Sequence, residues 1–408
     1  MTHWIVVDLG YGDAGKGTVV DWLCATRPVH TVVRFNGGAQ AAHTVVLPDG
    51  RRHTFAQFGA GTFRPGVRTH LSRFVVVDPL ALAAEADHLV SIGVVDALDR
   101  LTVDEAALIA TPYHRAANRA RELARGADRH GSCGLGVGEA MAYALAHPDD
   151  APRVGDCRNP NRLADKLATL RDRLTASVGP LDAPEVLDCL PAFRGFAARV
   201  SIVDDAHLAR AARAGTLVFE GAQGVLLDEW HGFHPYTTWS TTTFANADKL
   251  LADAGAPGDV ERLGVLRVVT TRHGPGPLVT EDASLPLRDP HNPTNPWQGQ
   301  FRFGHFDAVA HAYALAVAGG VDGVALTHLD VASDRLRLCR AYDWTEWLEP
   351  GPAGDLARQE RLTRRLMSTR PVYDVPPRDW VAAVEEALAV PVVLTSHGPT
   401  AADKRPRR

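Results

Sequence analysis

Residues 6–18 place an apolar strand directly before a glycine-rich turn, and this junction strongly constrains the fold. They read Val-Val-Asp-Leu-Gly-Tyr-Gly-Asp-Ala-Gly-Lys-Gly-Thr. Glycines let the backbone approach an anion closely, and the N–H groups of such a turn point at phosphate oxygens. The segment therefore predicts a phosphate-binding loop that contains Gly12, Gly15, Lys16, Gly17 and Thr18.

This loop differs from the P-loop of ordinary nucleoside triphosphatases. Gly10 to Lys16 fits the spacing G-x-x-x-x-G-K, but Gly17 follows where those enzymes have Ser or Thr to hold magnesium. Asp13 lies inside the loop, and an anion beside phosphates makes sense if it binds a metal ion or accepts a proton. It could also cap the helix that begins near Lys16, and the two roles are compatible.

Two more glycine-rich segments follow predicted strands. The first begins at Arg34 and reads Arg-Phe-Asn-Gly-Gly-Ala-Gln-Ala-Ala-His, ending at His43. The second, Phe219-Glu-Gly-Ala-Gln-Gly-Val-Leu-Leu-Asp228, continues through a His-Gly-Phe-His-Pro-Tyr-Thr-Thr run that ends at Thr238. Because ligands of parallel sheets collect at the carboxyl ends of strands, we expect all three segments to meet at one site.

Alternating strand and helix patterns predict the α/β class. We predict strands at Trp4–Val7, Thr31–Val33, Phe74–Val77, Thr216–Phe219, Gly264–Val269, Gly323–Leu326 and Pro391–Leu394. We predict helices at Lys16–Ala25, Pro79–Ile92, Asp104–Arg125, Asn161–Ser177, Asp205–Ala214, Phe306–Gly319 and Trp380–Leu388. This order favours a large, mostly parallel central sheet with helices on both faces. No linker interrupts it, so we interpret residues 1–408 as a single domain with loop insertions at 272–299 and 349–353.

Composition excludes several classes of protein. The net charge of -5 gives no reason to expect nucleic-acid binding. Five widely spaced cysteines with no C-x-x-C pair argue against a disulfide framework or a zinc knuckle. With no apolar run of about 18 residues and no signal peptide, we expect a cytoplasmic protein without membrane contact. We also expect the basic segment Asp403–Arg408 to be a solvated tail.

The three glycine-rich segments together resemble the adenylosuccinate synthetase family. That family carries a G-D-E-G-K-G loop, then N-A-G-H-T, then E-G-A-Q-G-x-L-L-D with H-G-x-x-P. Four later motifs follow in the family's order and begin at Arg153 (Arg-Val-Gly-Asp), Thr271 (Thr-Arg-His-Gly-Pro-Gly-Pro), Leu326 (Leu-Thr-His-Leu-Asp) and Ser396 (Ser-His-Gly-Pro). The resemblance spans nearly the whole chain and implies the P-loop-like, GTPase-related fold of that family.

The resemblance also implies a reaction. The family is a purine-biosynthesis ligase that joins L-aspartate to carbon 6 of IMP, driven by a nucleoside triphosphate, usually GTP, with Mg²⁺. The 6-oxygen first takes the γ-phosphoryl group, and the amine then displaces the phosphorylated oxygen. Asp13 matches the catalytic base, which also touches Mg²⁺, and His43 matches the acid, with Lys16 in the phosphate clamp. Ala42 replaces a metal-facing glycine, and the family forms homodimers.

Further positions match nucleotide-binding residues of the family. Gln223 and Thr238 match contacts to the purine nucleotide, and Gln40 replaces an asparagine of the second motif. Asp330 matches a carboxylate that recognises guanine, which favours GTP over ATP as the energy donor, although the family's lysine two places earlier is His328 here. Ser132 and Cys133 lie in Gly131–Gly138, which resembles the phosphate motif G-T-T-G-R-G-I-G. Ser396 and Gly398 join the nucleotide-binding set.

The largest departure is the loop for aspartate. The family carries T-T-G-R-R-R-R-T-G ahead of W-L-D, whereas this chain reads Asn-Pro-Trp-Gln-Gly-Gln-Phe-Arg-Phe-Gly-His-Phe-Asp from Asn295. Arginines there hold the carboxylates of aspartate, since a guanidinium forks onto a carboxylate. We expect Arg302, with Gln298 and Gln300, and with the Thr270-Thr271-Arg272 segment, to do so here.

Three alternatives stay open at the sequence level. The changes resemble the phage and archaeal branches of the family, which include synthetases that make 2-aminoadenylosuccinate from deoxyguanylate. That branch typically replaces the loop aspartate with a small hydroxyl residue, whereas this chain keeps Asp13. Loss of the loop arginines would also allow a ligase of specialised metabolism that uses another amine. The third alternative is a nucleotide-binding regulator without activity, against which the intact Asp13, Lys16, His43 and Gln223 argue.

Overall fold

The computed structural model describes residues 1–289, 292 and 294–407. Its strands are β1 (Thr2–Asp8), β2 (Val29–Arg34), β3 (His43–Val46), β4 (Arg52–Phe55), β5 (Arg68–Leu71), β6 (Val76–Val77), β7 (Leu101–Asp104), β8 (Leu108–Ile109), β9 (Ser201–Val203), β10 (Thr216–Glu220), β11 (Asp259–Arg267), β12 (Thr270–His273), β13 (Phe301–Gly304), β14 (Phe306–Asp307), β15 (Gly323–Thr327), β16 (Leu338–Tyr342), β17 (Pro371–Tyr373), β18 (Val392–Ser396) and β19 (Lys404–Pro406). Its helices are α1 (Lys16–Thr26), α2 (Pro79–Ser91), α3 (Pro112–Arg125), α4 (Val137–Ala146), α5 (Pro160–Val178), α6 (Val186–Arg199), α7 (Ala206–Ala214), α8 (Ala245–Ala254), α9 (Ala308–Ala318), α10 (Leu356–Leu366) and α11 (Trp380–Leu388).

One large sheet dominates the fold. Within the described residues its ten strands have the order β19-β18-β15-β11-β1-β10-β2-β5-β7-β9. Neighbouring strands run parallel, and only the edge pair of β18 and β19 is antiparallel. Because β1 lies between β10 and β11, the glycine loop that follows β1 emerges near the middle of the sheet. The predicted α/β fold with a mostly parallel sheet is confirmed.

The central strand β1 is buried on both faces. Ile5 and Val7 pack into one apolar cluster together with residues of α8, α9 and α11, whereas Val6 packs into another with residues of α1, α2 and α5. Each of these three side chains is at most 1% exposed. A strand covered on both faces is continuously apolar, as residues 5–7 are. The helices therefore cover both faces of the sheet, as the sequence predicts.

Two predicted elements are wrong at their boundaries. The predicted helix 104–125 begins only at Pro112, because Thr111 caps α3 in a capping box with His114, and strands β7 and β8 precede it. The predicted strand Phe74–Val77 reduces to the short β6, and the sheet instead uses β5 just before it.

The predicted solvated tail is only partly wrong, because residues 405–407 are exposed but the segment is not an unstructured tail. Residues 404–406 form β19, which pairs with β18, and Lys404 is only 6% exposed. Its Nζ donates to the carbonyl of Gly398 at 2.9 Å. The predicted insertion 272–299 includes Pro290, His291 and Pro293, which lie outside the described residues, as does Arg408. None of the helices in the described part of the chain is long and apolar enough to cross a membrane.

Candidate active site

A cavity of about 760 Å³ lies at the carboxyl ends of the central strands. Fifteen of the predicted site residues line it: Gly12, Asp13, Gly15, Lys16, Gly17, Thr18, Gln40, Ala42, His43, Cys133, Gln223, Gln298, Asp330, Ser396 and Gly398. The four predicted residues that do not line it are Ser132, Thr238, Gln300 and Arg302. The structure thus brings together segments from both halves of the chain. This agrees with the expectation that ligands of parallel sheets collect at the carboxyl ends of the strands.

The phosphate loop is organised by Asp8, the last residue of β1. Its buried carboxylate accepts hydrogen bonds from the backbone N–H groups of Gly10 at 2.9 Å, Gly12 at 3.2 Å and Ala14 at 2.9 Å. The same carboxylate pairs with Nζ of Lys16 at 3.0 Å. The ammonium group is therefore held in place before any phosphate arrives, and its charge is shared with an aspartate.

Helix α1 begins at Lys16 without a side-chain cap. Gly15 is the N-cap residue, with φ at +96°, so the alternative that Asp13 caps this helix is wrong. A Cβ atom on Gly17 would lie 2.8 Å from Cβ of His43, a distance that real Cβ atoms essentially never show. The close approach of α1 to His43 explains why Gly17 stands where a Walker loop has Ser or Thr.

His43 is paired with a carboxylate that the sequence analysis did not assign. Its Nδ1 lies 2.5 Å from Oε1 of Glu220, the last residue of β10, and Oε2 of Glu220 accepts from the N–H of Ala60 at 2.8 Å. Burial lowers the pKa of His43 to about 4, although Glu220 opposes that shift. Burial alone would raise the pKa of Glu220, but the contact with His43 lowers it. An ionised Glu220 accepts a hydrogen bond from Nδ1–H of His43, which leaves Nε2 of His43 for a ligand.

Asp13 faces the cavity from a strained backbone position. Its φ is +60°, and its side chain is 25% exposed, with Oδ2 3.9 Å from Nε2 of His273. Burial raises the pKa of Asp13, and the neighbouring His273, Arg267 and Lys16 partly offset this. A carboxylate with a raised pKa is a better base, so its environment suits proton abstraction from a purine ring nitrogen.

Two amide oxygens in the cavity lack partners. Oε1 of Gln223 and Oε1 of Gln40 are buried and accept no hydrogen bond within the described residues. Gln223 has φ at +58°, and the loop that carries it presses against the phosphate loop, since a Cβ atom on Gly224 would lie 2.2 Å from the carbonyl oxygen of Gly10. Buried acceptors without donors are costly, so both oxygens fit a ligand that supplies N–H groups.

The last strands close the other side of the cavity. Oγ1 of Thr18 donates to the carbonyl of Pro399 at 2.8 Å, which joins α1 to the loop after β18. Asp330 lines this region and is exposed to it. His328, where the family has lysine, accepts from Nη2 of Arg267 at 2.9 Å, and burial together with this arginine lowers its pKa well below the ordinary value. His328 therefore supplies no positive charge beside Asp330.

The predicted 5′-phosphate turn is only partly brought to the cavity. Cys133 lines it, and Gly136, with φ at +82°, caps α4. Ser132 does not line it, because its hydroxyl donates to Oδ1 of Asn118 at 3.0 Å. Thr238 also lies elsewhere, and its backbone N–H donates to the carbonyl of Leu227.

Arg302 does not reach the cavity. Its guanidinium donates to the carbonyls of Gly274 at 3.0 Å and Gly276 at 2.8 Å, and it pairs with Glu281 at 2.7 Å. Arg272 is also turned away from the cavity: it is 2% exposed and donates to the carbonyls of Pro275, Pro277 and Tyr236. The structure therefore does not place these arginines where the sequence analysis expects an aspartate carboxylate.

The reason is the alternation of side chains along a β-ribbon. Strands β12 and β13 pair antiparallel, with Arg272 opposite Arg302. Successive side chains of a strand point to opposite faces, so both arginines share the face away from the cavity. His273 and Phe303, one position along each strand, line the cavity. Gln300 precedes β13 and does not line the cavity, so only Gln298 of the predicted amine-binding set is a cavity residue.

Sequence reasoning missed several charged or titratable residues of the site, and four of them hold its geometry: Asp8, Glu220, Arg267 and His273. Three of them share a signal that could have found them, because they are charged residues at the end of a buried strand. Such a residue must find a partner or a ligand, since burying an unpaired charge is costly. His273 was quoted within a motif but given no role.

The donor set fits a magnesium ion bound mainly by substrate. Asp13 and Ala42 both line the cavity and offer a carboxylate and a backbone carbonyl. Across the described residues no three His, Cys, Asp or Glu side chains converge on a common point. Mg²⁺ typically uses one or two carboxylates together with substrate phosphates rather than a dedicated protein cage, so this sparse set suits it.

The sheet, the phosphate loop at its centre and the paired histidine define a nucleotide-dependent α/β enzyme. Comparison with known proteins gives the family. The profile described as adenylosuccinate synthetase matches residues 5–404. The chain is 35% identical to the adenylosuccinate synthetase of Marinomonas sp. (strain MWYL1), covering 97% of this chain and 96% of that one. It is 33% identical to the enzyme of Ralstonia nicotianae, covering 97% and 94%. This chain belongs to the adenylosuccinate synthetase family and is a ligase that forms C–N bonds.

Solved structures agree on the fold. The fully ligated adenylosuccinate synthetase of Plasmodium falciparum superposes with a TM-score of 0.81 at 21% identity and covers all of both chains. The succinoaminodeoxyadenylate synthetase of cyanophage S-2L, bound to dGMP and to dATP as an energy donor, gives 0.64 at 20% identity, covering 99% of this chain and 95% of that one. The predicted family fold is therefore confirmed.

Proposed function

We propose that this enzyme uses a nucleoside triphosphate and Mg²⁺ to condense an amine with carbon 6 of a 6-oxopurine nucleoside monophosphate. In the reaction that the family resemblance implies, the acceptor is IMP, the amine is L-aspartate and the product is adenylosuccinate. The observation that carries the proposal is the arrangement of Asp13, His43 and Lys16 around one cavity. These are the base, the acid and the phosphate clamp that phosphoryl transfer to a purine oxygen requires.

In the first step Asp13 takes the proton from N1 of the purine. The 6-oxygen then attacks the γ-phosphorus, and the bond from that phosphorus to the β-phosphate oxygen breaks with its electron pair leaving on the nucleoside diphosphate. Lys16 and the loop N–H groups stabilise the charge on the transferring group. His43 hydrogen-bonds through Nε2, and the incoming negative charge would raise its pKa from about 4. A magnesium ion, when bound, would neutralise charge on the β- and γ-phosphates.

The second step replaces the oxygen by nitrogen. The amine attacks carbon 6, the bond between that carbon and the phosphorylated oxygen breaks, and inorganic phosphate leaves with the electron pair. The amine loses one proton to solvent, and Asp13 returns the proton that it took from N1 to the departing phosphate or to solvent. Phosphorylation matters because an unmodified purine oxygen is a poor leaving group.

The proposal also covers the purine nucleotide that is modified, the nucleoside triphosphate that donates phosphate, and the oligomeric state. The unpartnered Oε1 of Gln223 supports a base with N–H donors, as in IMP, GMP or dGMP. Asp330 supports GTP as the phosphate donor. The neutral His328 stands where the family has a positively charged lysine, so that pocket lacks this cation. ATP is therefore tested beside GTP as the donor. We propose a homodimer that works in the cytoplasm, without nucleic-acid or membrane partners.

Transfer of the purine oxygen to phosphate tests the activation chemistry. A 6-oxopurine nucleotide labelled with ¹⁸O at position 6 is incubated with GTP or ATP and with L-aspartate, L-asparagine or ammonium in turn. We expect the label in inorganic phosphate, measured by mass spectrometry. Phosphate released without nucleotide serves as the unlabelled control. Label that stays in the nucleotide product while phosphate is released would contradict the 6-phosphoryl intermediate.

A further inference from the structure

The loop that follows β18 forms one wall of the cavity and is tied back to β19. Gly398 and Pro399 line the cavity, and the backbone N–H of His397 donates to the carbonyl of Asp403 at 3.1 Å. The side chain of Asp403 in turn accepts from the N–H and the hydroxyl of Thr400 at 2.8 and 2.7 Å. The loop is therefore a closed turn whose backbone groups have fixed directions.

The two carbonyl groups of this loop at the cavity already have partners within the protein. The carbonyl oxygen of Gly398 accepts from Nζ of Lys404 at 2.9 Å and from Oγ of Ser396 at 3.2 Å, which uses both of its lone pairs. The carbonyl oxygen of Pro399 accepts from Oγ1 of Thr18 at 2.8 Å. By contrast, no described residue accepts a hydrogen bond from the N–H of Gly398. The loop therefore keeps a donor for a ligand, while its carbonyls are engaged.

Lys404 is the buried cation behind this loop. Burial lowers the pKa of Lys404 to about 8, and Asp403, Asp21 and Asp330 oppose that shift. The ammonium group is therefore close enough to Asp330 for their charges to attract. Because His328 is neutral, Lys404 brings from the last strand a positive charge to this side of the cavity.

We propose that Lys404 is a positioning residue that makes the phosphate-donor pocket select a 6-oxopurine base over adenine. A guanine whose N1–H and 2-amino group donate to Asp330 turns its 6-oxygen toward the N–H of Gly398. Adenine has an amino group at position 6 and needs an acceptor there, but Lys404 and Ser396 occupy the carbonyl of Gly398. The inference rests on the proposed function, because it concerns the base of the nucleoside triphosphate that donates phosphate.

Three nucleotides separate recognition at position 6 of the base from recognition at position 2. Imidotriphosphate analogues of GTP, ITP and ATP, whose β–γ bridge resists transfer, are titrated into the enzyme with Mg²⁺, and calorimetry gives Kd. The GTP and ITP analogues share the 6-oxygen and differ only in the 2-amino group. We expect the wild type to bind both at least about tenfold more tightly than the ATP analogue, since an unpaired buried polar group is costly.

Lys404→Met removes the donor to the Gly398 carbonyl and keeps a side chain of similar length. The Kd for the ATP analogue divided by the Kd for the ITP analogue, here called the base ratio, should fall at least about fivefold. The reason is that a freed carbonyl repels the 6-oxygen and accepts from the 6-amino group of adenine. The ratio between the ITP and GTP analogues should stay within about twofold. A loop that had merely loosened would instead bind all three analogues more weakly by the same factor.

Arg405→Met is the matched control for this variant. Arg405 is the next residue of β19, where strand alternation turns an exposed side chain to the opposite face, so its base ratio should equal that of the wild type. Ser396→Ala removes the second donor to the same carbonyl and should lower the base ratio by a smaller factor. If Lys404→Met shows no cooperative thermal unfolding, Ser396→Ala carries the test. An unchanged base ratio in the variant that carries the test, or an equal fall in Arg405→Met, would overturn the inference.

A separate measurement tests the proposed function. GTP or ATP labelled with ¹⁸O in the bridge between the β- and γ-phosphorus is incubated with the enzyme, Mg²⁺ and IMP, GMP or dGMP without amine. Reversible formation of the 6-phosphoryl intermediate scrambles the label into the non-bridging β-oxygens. Scrambling together with an unchanged base ratio in Lys404→Met would overturn the inference and leave the proposed function intact. No scrambling with any nucleotide would overturn the proposed function and, with it, the assignment of this pocket to a phosphate donor.

Discussion

At the scale of single residues, the site is built from charged side chains that hold one another. Asp8 orders the phosphate loop and fixes Lys16, while Glu220 sets which nitrogen of His43 faces the ligand. Neither carboxylate touches the cavity's contents in the proposed reaction. Both act by positioning a group that does, so the catalytic residues depend on partners from β1 and β10.

The proposed base and acid give the first prediction. Asp13→Ala and His43→Ala should each lower kcat by at least about 10²-fold, because each removes a proton-transfer group. Steady-state phosphate release with the best amine measures the loss, and thermal unfolding checks that the fold persists. A kcat near that of the wild type in either variant would contradict the proposed mechanism.

Gly17 gives a second prediction at this scale. Gly17→Ser restores the residue of a Walker loop, yet we expect kcat to fall more than about tenfold, because the new Cβ atom would lie 2.8 Å from Cβ of His43 and displace it. Gly195→Ser on α6 is the matched control, since a Cβ atom there meets nothing within 4 Å. Activity of Gly17→Ser equal to that of Gly195→Ser would show that the close approach is unimportant.

At the scale of elements, helix α9 begins at a buried carboxylate. Oδ1 of Asp307 accepts from the N–H of Ala310 at 3.0 Å, and the hydroxyl of Tyr342 donates to both carboxylate oxygens. Burial raises the pKa of Asp307 from an ordinary value of 3.8 to about 6. The helix is therefore capped by a group whose ionisation opposes folding.

The sign of this effect gives the third prediction. Between about pH 4 and pH 6 the folded state holds a proton that the unfolded state loses, so stability falls as pH rises and remains lower above pH 6. Asp307→Asn keeps an acceptor for the cap but cannot ionise. Denaturant unfolding measures the free energy of unfolding of the variant minus that of the wild type. We expect this difference to be about 1–3 kcal/mol larger at pH 8 than at pH 4, because the variant keeps the stability that the wild type loses.

The exposed cap of α10 provides the control for that measurement. Asp355 accepts from the N–H of Arg358 at 3.0 Å at the surface, where burial does not penalise a charge, so the difference between the two pH values should be smaller for Asp355→Asn than for Asp307→Asn. A pH-independent difference for Asp307→Asn would contradict the role of burial.

Sequence patterns predict elements well where apolar periodicity is strong, and poorly where polar groups are buried. Helix α11 has the predicted bounds of Trp380 and Leu388. Strand β5 was missed because Thr69 and His70 are buried polar residues within it, paired to neighbours that only the fold supplies. The phosphate loop and His43 could be predicted from local motifs, but the inward or outward face of Arg302 depends on the pairing register of β13, which no local pattern fixes.

At the scale of the whole molecule, the proposed homodimer gives the fourth prediction. The family resemblance implies a homodimer, and helices α3, α4 and α6 expose Leu123, Leu145 and Leu187 by 58%, 70% and 75%. Light scattering should therefore give twice the chain mass of 43.9 kDa. A monomer mass at micromolar concentration would contradict the homodimer, and Leu145→Asp tests whether α4 takes part.

The hydrogen bond from Thr18 to Pro399 joins residues 381 positions apart. A ribosome that is making this chain releases the phosphate loop long before strand β18 exists, so a nascent chain carries the loop without the wall that completes its cavity. The central strand β1 is in the same situation, because its neighbours β10 and β11 emerge some two hundred residues later. Nucleotide affinity should therefore appear abruptly near the end of translation, and a stalled chain would not sequester GTP or ATP.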